Sequence, residues 1–133
     1  MPFEINGGFT FCGCIPDGSN KRHIGIILGQ KDGWLKYCYC TTKFSRIINN
    51  IDHIVIPAEK MDSYFSAPRD TYVFISAQHI IDMPTITFES RLDSEYDIMP
   101  EISKDIYISI LSKIQNSDNL SERFKNDFFQ FLE

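Results

Sequence analysis

The sequence predicts a mainly β fold with some α: a small, curled antiparallel sheet of about six strands, followed by one or two C-terminal helices. Three observations carry that expectation. Short apolar or alternating runs recur as far as residue 92, separated by turn formers. An Asp-Gly step, Asp32-Gly33, sits between two of those runs, where a two-residue hairpin turn belongs. From Pro100 onward the period changes, and Ile102, Ile106, Ile110 and Ile114 recur every fourth residue.

The elements follow in order. GFTFCGCI (residues 8–15) reads as a first strand, and the turn-rich PDGSNK (16–21) as a loop. HIGIILG (23–29) is a buried strand, QKDG a hairpin turn and WLKYCYCTT (34–42) the third strand. HIVIPA (53–58), TYVFISA (71–77) and TITFESRL (85–92) complete the strands, the last by its period of two. SRLDSEYD (90–97) reads as a solvated connection into the helices. The first helix covers 101–115, with Pro100 at its entry. The second starts from an Asn119/Glu122 cap pair and carries a stripe of Leu120, Phe124, Phe128 and Phe131 for packing.

The 133 residues form one domain by this reading, with strands in 1–98 and helices in 99–133. Hydrophobic content of 43% and charged content of 23% are those of a soluble globular protein. No apolar run reaches bilayer length, so no membrane partner is expected. The N-terminal MPFEINGGFTF shows neither the basic nor the apolar region of a signal peptide, so a cytoplasmic location is expected. Charge is uneven: residues 1–50 carry six Lys or Arg against three acids, and residues 51–133 seven against fifteen. A net charge of −5 disfavours a general nucleic-acid binder but leaves room for a local basic face.

The four cysteines fall in two C-x-C pairs, FCGC and YCYC. Two residues apart on a strand, their sulfurs share a face about 7 Å apart, too far for easy chelation of one ion. Packed free thiols are therefore expected ahead of a metal or a disulfide. His23, His53 and His79 show no metal-ligand spacing, and each falls at a strand end. Nucleotide-loop, nucleophile-elbow and calcium-loop motifs are absent. No cofactor or metal is expected. Arg22 enters the second strand and Thr41 leaves the third, so a hairpin across Asp32-Gly33 would bring them together at its open end. A guanidinium fork beside a hydroxyl suits a phosphate.

The ordered set GGFTFCGCIP, Arg22-His23-IGIIL, YCYCTTK, HIVIPA and TYVFISAQHIID resembles the MazF/PemK family of toxin ribonucleases, over about residues 5–115. The resemblance implies an SH3-like or CcdB/PemK-type barrel, a homodimer, a cognate antitoxin protein and cleavage of single-stranded RNA without a metal. It places the catalytic residues on Arg22 and Thr41, with His23 and Thr42 as accessory candidates. Lys21, Tyr37, Tyr39, Lys43 and Arg46 are then candidates for RNA contact. Three departures stand out: Gly8 occupies the expected aspartate position, His23 replaces the proline after the arginine, and the acidic second half disfavours RNA except on one face. The alternative is a non-catalytic member of the same fold that acts on a protein partner.

Overall fold

The computed structural model describes residues 7–14, 22–41, 52–60, 70–92, 94–118 and 120–129. Among these residues seven strands form one antiparallel sheet: β1 (Thr10–Cys14), β2 (Arg22–Lys31), β3 (Trp34–Thr41), β4 (His53–Ile56), β5 (Thr71–Phe74), β6 (Ile80–Pro84) and β7 (Asp97–Met99). Helices α1 (Thr85–Leu92), α2 (Lys104–Asn116) and α3 (Glu122–Phe129) join them. The strand order is β4-β5-β3-β2-β1-β7, with β6 paired to β3 off that path. Among the described residues the ends β4 and β7 do not pair, so the sheet is open rather than closed into a barrel.

The central hairpin forms as its residues dictate. Lys31 faces Trp34, and Asp32 and Gly33 have φ of 54° and 82°, the two positive values that a tight hairpin turn of the I′ kind requires. Beyond it, β2 carries a bulge: Ile27 pairs with Tyr37 and Gly29 with Lys36, leaving Leu28 as the extra residue. The Leu28 carbonyl instead accepts a hydrogen bond from the Tyr107 hydroxyl of α2.

Two cores lie on the two sides of the sheet. Ile24, Ile26, Leu28, Cys38 and Cys40 pack with Ile110, Leu111 and Ile114 of α2. On the other side Phe11, Ile27, Leu35 and Tyr37 pack with Phe88 and Leu92 of α1 and with Tyr96. The segment 85–92 is thus a helix and not the sixth strand its period of two suggests. Its buried residues, Phe88 and Leu92, are spaced i,i+4 and meet the core as a helix presents them. The sixth and seventh strands are Ile80–Pro84 and Asp97–Met99, and the second lies partly in what reads as a solvated connection. Helix α2 begins later than its sequence suggests, where the Ser103 side chain caps the Ile106 amide. Helix α3 is capped by Ser121, whose hydroxyl accepts from the Phe124 amide at 3.1 Å; Asn119 lies outside the described residues.

Gly25 gives a test of the second core. A Cβ there would lie 2.4 Å from Cζ and 2.5 Å from Cε1 of Phe11. Phe11 is enclosed by Tyr37, Phe88 and Tyr96 with centroids at 5.2, 4.8 and 4.8 Å, so it has nowhere to retreat. Gly25→Ala is expected to cost about 1–3 kcal/mol by overpacking. Urea unfolding should show a lower midpoint at unchanged slope.

Candidate functional site

The bulge decides where Arg22 points. An unbulged ladder from Lys31 opposite Trp34 would put Arg22 and Thr41 on the same face. The extra Leu28 shifts the register so that Gly25 opposes Tyr39. Thr41, two residues past Tyr39, shares its face; Arg22, three residues before Gly25, projects from the other. The structure therefore does not bring Arg22 and Thr41 together. Arg22 reaches across β1 instead: its Nη2 donates to the Cys12 carbonyl at 2.9 Å and meets Asp97 Oδ2 at 2.6 Å. Its Nη1 donates to the Glu95 carbonyl at 3.3 Å. The guanidinium ties the start of β7 to β1. The pair is exposed, so its charge attraction contributes little to stability.

Thr41 lies on a face built from four strands. Thr41 pairs with Tyr72, Val55 with Tyr72, and His53 with Phe74, so these side chains project on one side. The rings there form a continuous run. His23 and Tyr39 have centroids 5.7 Å apart, Tyr39 and His79 5.6 Å, and His79 and Phe74 5.3 Å. His53 then lies 6.1 Å from Phe74 and 6.2 Å from Tyr72. Phe74 is buried, whereas His23, Tyr39, His53, Tyr72 and His79 each stay partly open to solvent. All three histidines of the chain join this run, although 30 and 26 residues separate them in sequence.

His23 and His79 are held by polar contacts. His23 Nδ1 lies 3.1 Å from the Cys40 carbonyl, so that nitrogen carries the proton in the neutral ring. Its Nε2 is enclosed, which suits His23 to holding the end of β3 rather than to touching a ligand. His79 Nδ1 and Ser76 Oγ are 2.6 Å apart, and burial lowers the His79 pKa from its ordinary 6.5.

The remaining sequence candidates divide. Tyr39 belongs to the aromatic run. Tyr37 is wholly buried in the α1-side core, where burial raises its hydroxyl pKa, and it offers no surface on which a base could stack. Lys21, Thr42, Lys43 and Arg46 lie outside the described residues. Sequence reasoning did not gather His53, Tyr72 and His79 into a site. The available signal was the placement of every histidine at a strand end, where strand pairing converges them.

Cys38 and Cys40 face the α2-side core as packed thiols. Burial raises both, and Cys40 is pushed up to about 12. Cys12 is half-buried and Cys14 exposed, so packing accounts for only part of the first pair. Among the described residues no group of three or more potential metal ligands gathers. An aromatic disulfide reagent is expected to label Cys14 first, and Cys38 and Cys40 at least about a hundredfold more slowly, after global opening. Mass spectrometry of partly labelled protein would read the order.

No family model and no curated protein matches the chain. The resemblance to MazF/PemK toxins thus rests on the order of short motifs. No described helix is long and apolar enough to cross a membrane.

Proposed function

We propose that the chain cleaves single-stranded RNA at the Thr41 end of the histidine–aromatic face, as the toxin of a toxin–antitoxin pair. One observation carries this reading: a hydroxyl, imidazoles and a tyrosine ring share one face at the end of the central hairpin. The SH3-like or CcdB/PemK character of the sheet, the homodimer and the antitoxin enter through the resemblance alone.

The chemistry asks little of the protein. The RNA 2′-oxygen attacks the adjacent phosphorus, and the O2′–P bond forms as the P–O5′ bond breaks. Thr41 donates to a non-bridging phosphate oxygen and orients it. His79, neutral at pH 7 because burial lowers its pKa, takes the 2′-OH proton and passes it to the departing O5′. The products are a 2′,3′-cyclic phosphate and a 5′-hydroxyl. His23 and Tyr39 position the end of β3.

The pH profile tests the assignment. Cleavage is expected to fall as pH drops through the lowered His79 range, with a midpoint below 6.5, and this limb should be missing from the residual activity of His79→Gln. A limb centred at or above 6.5, or one retained in His79→Gln, removes His79 as the base. The same shift has a sign for stability. As pH falls below 6.5, the unfolded chain takes up a proton that the folded chain resists, so acidification through this window costs stability.

A second reading has its own support. Arg22 is engaged by Asp97 and two carbonyls on the face opposite Thr41, so the phosphate clamp implied by the resemblance is not assembled. That favours a non-catalytic module of similar fold acting on a protein. Intact RNA together with growth arrest that survives Thr41→Val would select it.

A further inference from the structure

The nuclease reading uses Thr41, Tyr39 and His79 but leaves the far half of the ring run without a task. Four ring-to-ring steps of 5.3–6.1 Å connect His23 to His53 through Tyr39, His79 and Phe74. Tyr72 extends the run along β5, its ring 6.5 Å from Phe74 and within 12° of parallel to it. A sheet core is economically filled by aliphatic residues, as the α2 side shows with its isoleucines. The half-open face carries three imidazoles and two tyrosines instead, and burial lowers the pKa of His79 among them.

We infer that Tyr72 and His53, backed by the buried Phe74, form a stacking surface for the bases of single-stranded RNA beside Thr41. The inference rests on the RNA reading above and names the part of the substrate that this half of the face holds. The chemistry of the surface matches that ligand in two respects. Every base has a π-face, and aromatic rings on a sheet stack unpaired bases without demanding a sequence. The rings of the run, His23, Tyr39, His53, Tyr72, Phe74 and His79, carry no carboxylate among them, and Asp70 beside Tyr72 accepts a hydrogen bond from the Ala58 amide. The run is sized for about two or three bases, as on other sheets that stack RNA. Tyr72 is opposite Thr41 on the neighbouring strand, so a base on its ring would sit one step from the phosphate at Thr41.

The test separates binding from cleavage. A fluorescein-labelled decauridylate with every 2′-hydroxyl methylated cannot be cut, and its binding is read by fluorescence anisotropy at low salt. Tyr72→Leu keeps apolar bulk but removes the ring, and His53→Ala provides a second, independent variant. Each is expected to weaken binding by about 5- to 150-fold, the range for loss of one base–aromatic stack. Tyr72→Phe should bind within about twofold of wild type. A duplex should compete at least about tenfold less well than the single strand, because its bases are already stacked.

Wild-type binding by Tyr72→Leu and His53→Ala, with unchanged thermal melting, overturns the stacking surface even if unmodified RNA is cleaved. Binding that weakens in both variants, with unmodified RNA left intact, supports the surface and sinks the cleavage reading. Absence of binding by the wild-type chain overturns the inference outright.

Discussion

Phe11→Ala is expected to lower the free energy of unfolding by about 3–5 kcal/mol, the range for emptying a buried phenylalanine site. The ring is fully enclosed and sits edge-on to Tyr37 and Phe88, at interplanar angles of 77° and 76°, and tilted against Tyr96. It joins β1 to the underside of α1 and covers Gly25, where no side chain could share the space. The surrounding rings are rigid and cannot collapse into the hole, so the cavity cost adds to the lost transfer free energy. A domain of this size has about 5–15 kcal/mol to lose, so the variant should unfold at far lower urea. A loss below about 1 kcal/mol would mean that the Phe11 cluster is not a core.

The second large effect concerns activity. Thr41→Val preserves shape and β-propensity while removing one hydroxyl, and it is expected to reduce RNA cleavage by about 10²–10³-fold, as for loss of one oxyanion donor. His79→Gln should reduce it by about 10²–10⁴-fold, as for loss of a general base. Arg22→Ala is the informative comparison. Its contacts are an exposed ion pair and two carbonyls on the opposite face. Its removal should cost under about 1 kcal/mol of stability and change cleavage by less than about tenfold. Arg22→Ala as damaging as Thr41→Val would restore the clamp that the resemblance implies and remove the histidine–aromatic face from the chemistry.

Much of the fold was legible because local chemistry and tertiary structure agree. Asp32-Gly33 can supply two positive φ values at little cost, and the Ile102–Ile114 spacing has a helical period. Segment 85–92 misled because Thr85, Ile86 and Thr87 favour strands and the alternation is real, while the deciding contact, Phe88 and Leu92 against Phe11 and Tyr37, is tertiary. The site was less legible for a similar reason. One bulged residue, Leu28, with its carbonyl satisfied by a hydroxyl 79 positions away, inverts the face of Arg22 relative to Thr41. No turn signal or period in β2 announces that residue. The convergence of three widely spaced histidines depends on the pairing of β3 with β5 and of β4 with β5, which short strands leave weakly specified in the sequence.

The central claim is that the Thr41 end of the histidine–aromatic face cuts RNA. It is tested most directly by incubating purified wild-type protein and Thr41→Val with an end-labelled single-stranded RNA in chelator and identifying the new ends. The account predicts 2′,3′-cyclic phosphate and 5′-hydroxyl ends from the wild type and at least about a hundredfold fewer from Thr41→Val. RNA left intact by the wild type, or cut equally by Thr41→Val, would contradict it.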